Sequence, residues 1–84
     1  MGKKLGVLAR PGHPELASIV SRLAEAARAH EFELFGDETV QAHTQAASLD
    51  PSAATMDVIL TLGGDGTLLA GARLAGPRGI PVIG

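Results

Sequence analysis

The chain has 84 residues, a formal net charge of −2, no Cys, and only two aromatic residues, Phe32 and Phe35. That length holds at most one domain with a thin core of Leu, Ile, Val and Ala, and the missing thiols exclude disulfides and thiolate metal sites. The slightly acidic balance gives no footprint for nucleic acid or an anionic membrane, and with no apolar run near about 18 residues and no signal-peptide core, a cytoplasmic protein is expected.

The first element is the run "KKLGVLA", rich enough in Leu and Val for a buried strand from Lys4 to Ala9. It stops at "RPGHP", where two prolines and a glycine enforce a turn. Pro14 suits the first position of a helix, with Glu15 in the first turn where the dipole favours an acid. Leu16, Ile19, Val20, Leu23, Ala24 and Ala27 then recur at helical spacing, while Glu15, Ser18, Arg22, Glu25 and Arg28 take the other face. That pattern predicts a one-sided amphipathic helix lying on something. "EFELF" follows, alternates, and suggests a second strand from Phe32 to Phe35.

Residues 36–56 carry little signal, being mostly Ala, Thr, Gln and Ser with Pro51 among them; a short helix from Val40 to Ala47 is the expectation there. "DVILTL" has apolar or β-branched residues without alternation, as a parallel strand covered on both faces does. "TLLAGARLAG" reads as a helix stopped by Gly76 and Pro77, and "IPVIG" opens a fourth strand. Strands alternating with helices in this way predict an α/β domain with a parallel sheet. Its ligands should lie beyond the carboxyl ends of the strands. Both "RPGHP" and "GGDG" fall at that edge.

Gly63, Gly64 and Gly66 sit between a buried strand and a helix start, where unpaired backbone N–H groups can receive phosphate. Asp65 needs a separate reason, because a carboxylate repels the phosphate those groups attract. It makes sense as the acceptor of a proton from an alcohol whose oxygen attacks phosphorus. The plainer alternative is that Asp65 only caps the helix and the glycines only make the turn. The spacing is not the Rossmann fingerprint, and no Lys follows the last glycine as a Walker A loop requires. Arg10, just after the first strand, is placed to meet a phosphate, with an ordinary surface arginine as the alternative. His13, His30 and His43 show no metal-ligand spacing, so no metal-binding residue is assigned. Glu15 and Asp57 read as acids at element starts, and Arg73 and Arg78 as cations at a helix end.

"DVILTLGGDGTLL", with "IPVIG" shortly after it, and "KKLGVLARPGHPELASIVSRLAEAA" resemble the N-terminal part of the NAD kinases. The Gly-Gly-Asp-Gly-Thr motif also occurs in diacylglycerol and sphingosine kinases, but those continue with Asn-Glu where this chain has "LLAGARLAG". Phosphofructokinases have a close relative of the motif, together with a second Gly-Gly loop after the first strand, where this chain has "LARPGHP". The resemblance implies a Rossmann-like N-terminal α/β domain, residues 1–84 forming part of it, and a β-rich C-terminal domain with no counterpart before Gly84. It implies transfer of a phosphoryl group to the 2′-hydroxyl of the adenosine ribose of NAD, giving NADP. The donor would be ATP or polyphosphate and the cofactor a divalent metal (Mg). By the same resemblance Asp65 is the proton acceptor, Gly63, Gly64, Gly66 and Thr67 complete the binding motif, and Leu69 contacts the adenine end. Where family members often carry a basic residue, this chain has Ala70. A homo-oligomer is expected of the whole protein, while the 84 residues alone are expected not to catalyse. A lipid kinase and a non-catalytic nucleotide-binding module stand as alternatives.

Overall fold

The computed structural model describes residues 2–49, 53 and 55–84. Five strands form one sheet in the order β3-β2-β1-β4-β5, with every pairing parallel. They are β1 (Lys3–Ala9), β2 (Phe32–Gly36), β3 (Ala47–Ser48), β4 (Val58–Leu62) and β5 (Val82–Ile83). Among the described residues three α-helices connect them: α1 (Leu16–Ala29), α2 (Glu38–Gln41) and α3 (Asp65–Ala75). The α/β class with a parallel sheet is therefore observed. The first strand is central: β1 pairs with β2 from Lys3↔Phe32 to Val7↔Gly36, and with β4 from Leu5↔Val58 to Ala9↔Leu62.

Alternating side chains send the two faces of the sheet into separate apolar clusters. On one face Val7 and Ala9 of β1 pack with Leu16 and Val20 of α1 and Val40 of α2, with Leu60 and Leu62 at the margin. On the other, Phe35, Leu49, Met56 and Ile59 pack with Ala75 of α3, flanked by Leu8, Leu74 and Val82. Thus α1 and α3 cover opposite faces. The six apolar positions predicted for α1 face inward, with Leu16, Val20, Ala24 and Ala27 buried and Ile19 and Leu23 half-buried.

Several expectations need correction. Pro14 and Glu15 precede α1 rather than open it. The His13 carbonyl accepts from the Leu16 N–H (3.1 Å) and His13 Nδ1 from the Glu15 N–H (3.1 Å), closing a turn that leaves Glu15 as the N-cap. The first turn consequently holds no acid. Val40 to Ala47 is not a helix: α2 ends at Gln41, and Ala47 pairs with Phe35 as a fifth, edge strand. There the free edge of β2 wins over a weak helical tendency. Pro51 lies outside the described residues. In β4, buried Ile59 and Thr61 alternate with half-buried Val58, Leu60 and Leu62, so its coverage is complete on the α3 face only. After α3 a 3₁₀ turn spans Gly76–Arg78, with Arg78 Nη1 donating to the Leu74 carbonyl (3.1 Å) at the helix end.

Gly71 lets α3 lie close to the sheet. A Cβ there would stand 2.7 Å from Thr61 Cγ2 and 3.1 Å from Val82 Cγ1. Ala is the better helix former by about 0.5–1 kcal/mol, yet Gly71→Ala is expected to lower stability by about 1–3 kcal/mol because both neighbours are β-branched and stiff. A denaturation midpoint at or above that of the unmodified protein would contradict this. At the end of β2, Asp37 accepts from the Ala9 N–H through Oδ2 (3.1 Å) and from the Val40 N–H through Oδ1 (3.0 Å). Asp37→Ala removes a cap and strands a strand N–H, at an expected combined cost of about 2–3 kcal/mol in the same measurement.

Candidate functional site

A doubly wound sheet opens a crevice where the chain changes direction across it, here between the carboxyl ends of β1 and β4. The Arg10 N–H donates to the Leu62 carbonyl (2.9 Å), which carries the β1–β4 pairing one step beyond the strands and holds Arg10 beside the following loop. That loop is only Gly63 and Gly64, because α3 begins at Asp65. The helix expected from Thr67 thus starts two residues earlier, with Asp65, Gly66 and Thr67 in its first turn.

Glycine at 63 is obligatory on two counts. Its φ is +155°, and a Cβ would stand 2.6 Å from Thr67 Oγ1 and 2.9 Å from Arg10 Cβ. Gly64, extended at φ −93° and ψ −161°, is the N-cap, and its carbonyl accepts from the N–H groups of Thr67 (3.1 Å) and Leu68 (3.2 Å). Asp65 therefore does not cap the helix, and its carboxylate is exposed and without a hydrogen-bond or ion-pair partner among the described residues. The backbone N–H groups of Asp65 and Gly66 likewise donate to no described atom. No neighbour lies within 4 Å of a Cβ built on Gly66, so this backbone is open to approach from outside.

Two cavities flank the loop. One of about 520 Å³ lies on the α1 side, lined by Arg10, Pro11, His13, Leu16, Ile19, Leu62, Gly63 and Gly64. The other, about 360 Å³, is bordered by Arg10, Asp37, Gly66, Thr67 and Ala70 among others. Asp65 and Leu69 line neither of them. Leu69 is 58% exposed and stands one turn on from Asp65, so the two share a helix face. Gly63, Gly64, Gly66, Thr67 and Arg10 are thus gathered around the crevice, with Asp65 and Leu69 on the adjoining open face. Among the described residues no group of three or more His, Cys, Asp or Glu side chains could hold a metal ion, and no helix is long and apolar enough to cross a membrane.

Asp37 is not among the residues expected at the site, yet its carboxylate ties the ends of β1 and β2 to α2 and borders the smaller cavity. Its signal was available: an Asp directly after a glycine that ends a strand and before a short helical run is an N-cap pattern.

Residues 5–84 match the family described as the ATP-NAD kinase N-terminal domain. The chain is 32% identical over 85 residues to the NAD kinase of Acidobacterium capsulatum, covering 96% of this chain and 30% of that protein. It is 35% identical over 81 residues to the NAD kinase of Gemmatimonas aurantiaca, covering 96% and 28% respectively. With the NAD kinase of Laribacter hongkongensis it shares 36% over 87 residues, covering 98% and 30%. The chain spans about 30% of the length of these relatives. No solved structure matches it at a significant level. A parallel sheet with a glycine-lined crevice at its switch point, matched over nearly its whole length to one domain description, assigns the chain to the NAD kinase family, in the part that the family calls its ATP-NAD kinase N-terminal domain.

Proposed function

We propose that this domain carries the phosphoryl-transfer loop of an NAD kinase, in which the 2′-hydroxyl of the adenosine ribose of NAD attacks the terminal phosphorus of ATP or polyphosphate. The observation that carries the reading is the unpartnered Asp65 carboxylate in the first turn of α3, beside two backbone N–H groups without acceptors. The dipole of α3 favours an acid at this position, but among the described residues the carboxylate neither caps the helix nor pairs, which leaves its oxygens available to a ligand.

In the reaction Asp65 accepts the hydroxyl proton as the ribose oxygen forms its bond to phosphorus. The bridging P–O bond to the leaving phosphate breaks, its electron pair stays on ADP or the shortened polyphosphate, and the proton passes from Asp65 to water. The N–H groups of Asp65 and Gly66, with the positive end of the α3 dipole, hold phosphate oxygens and stabilise the negative charge on them. Leu69, exposed on the same helix face, offers an apolar contact to the adenine end. As for the metal, no group of three or more His, Cys, Asp or Glu side chains could hold an ion among the described residues, so Asp65 is the loop residue that would contact Mg²⁺, and the remaining ligands would come from outside these residues. When bound, the ion neutralises charge on the phosphates. The same reading makes the whole protein a cytoplasmic homo-oligomer.

Two variants of the whole protein test this. Asp65→Asn keeps the size of the side chain but cannot take the proton, so kcat for NADP formation is expected to fall by about 10² to 10⁴ while KM for NAD moves little. Near-normal turnover by a folded Asp65→Asn protein would refute the role of Asp65 and favour a non-catalytic nucleotide-binding module. Gly66→Ala separates site from scaffold: with open space around the new methyl, thermal stability should hold or rise by about 0.5–1 kcal/mol. Its KM values should nevertheless increase, because the methyl blocks close approach of a ligand. A destabilised variant with unchanged KM values would overturn that assignment.

A further inference from the structure

The cavity on the α1 side has in its lining one cationic side chain, Arg10, a further nitrogen donor in His13, and no acid, in a chain whose net charge is −2. Arg10 is fixed at its backbone by the bond to the Leu62 carbonyl (2.9 Å). Its side chain runs across the glycine loop: Cβ is 2.9 Å from the position of a Cβ on Gly63, and Nη1 is 3.7 Å from that on Gly64. Among the described residues its guanidinium has no hydrogen-bond or ion-pair partner, so every donor of that planar fork is available to an outside acceptor. Nδ1 of His13 is occupied as acceptor of the Glu15 N–H (3.1 Å), which leaves Nε2 to donate.

We infer that Arg10 binds the phosphate chain of the phosphoryl donor, holding it on the α1 side of the Gly63–Gly64 loop. The charges favour this division of the crevice. A polyphosphate carries more charge than a dinucleotide and belongs on the acid-free side, whereas the acceptor hydroxyl must meet Asp65 on the open face of α3. The identity of the donor rests on the kinase reading above; the contact between Arg10 and a phosphate chain does not. A guanidinium gripping phosphate oxygens makes charge-assisted bonds that an amide cannot replace and an ammonium replaces only in part.

The test uses the whole protein with Arg10→Gln, Arg10→Lys and, as a control, Arg22→Gln on the exposed face of α1. Calorimetric titration with inorganic tripolyphosphate and with ATP should show about tenfold to a hundredfold weaker binding of both to Arg10→Gln, partial recovery in Arg10→Lys, and no change in Arg22→Gln. In steady-state assays KM for the donor should rise by a similar factor, with kcat and KM for NAD within about twofold. Unchanged affinity for tripolyphosphate would overturn the proposal, as would a loss for ATP alone or an equal loss for NAD. Should the protein lack NAD kinase activity, the tripolyphosphate titration still decides the role of Arg10, while the kinase reading falls on its own.

Discussion

Parallel pairing of β1 with β4, carried past both strands by the bond from the Arg10 N–H to the Leu62 carbonyl, is the contact on which the rest of the structure depends. On one side of that seam the chain runs through α1 to β2, and on the other through α3 to β5, the two helices covering opposite faces. The divergence opens the crevice. It also sets which segments can meet there: the residue after β1 and the residues after β4, brought side by side by strand register rather than by any loop of their own.

The loop then has very little freedom. Two glycines take the chain from a strand to a helix, with Gly63 at a positive φ and packed against both Thr67 and Arg10, and Gly64 supplying the capping carbonyl. Because backbone alone makes this cap, the side chain at 65 is not needed as a cap, and its exposed carboxylate has no hydrogen-bond partner among the described residues. Thr67 closes the arrangement from within the first turn, its hydroxyl filling the space a Cβ on Gly63 would need. Rigid backbone and free side chain thus come from the same two residues.

Most of this architecture is legible in the amino-acid order. The stripe from Leu16 to Ala27 gives α1 and its buried face because its apolar residues keep a helical period, and the run Val58–Leu62 gives β4 because it is apolar or β-branched throughout. Where the signal weakened, longer-range contacts decided. Nothing local in Ala47–Ser48 favours a strand; it is one because the edge of β2 offers partners. His13 drew the chain into a turn that displaced Pro14 and Glu15 from the helix, a side-chain contact no periodicity encodes. At the site, the glycines and the acid stood out by composition, but that Asp65 lies inside the helix and Arg10 across from it depends on register between strands distant in sequence.

The central position of β1 has a consequence for how the chain acquires its structure. Synthesis delivers this strand before either of its neighbours, so the earliest contacts cannot satisfy its backbone groups. A nascent chain can form α1 and pair β2 on one side, but the opposite edge of β1, whose backbone groups at Lys4 and Arg10 bond to Asp57 and Leu62, stays unpaired until Val58–Leu62 has emerged. An apolar strand with an open edge invites pairing with other chains while it waits. The glycine loop follows β4 directly in the chain, so the ligand crevice takes shape only after β4 has paired with β1, and any change that delays β4 prolongs the interval in which the nascent protein is prone to aggregate.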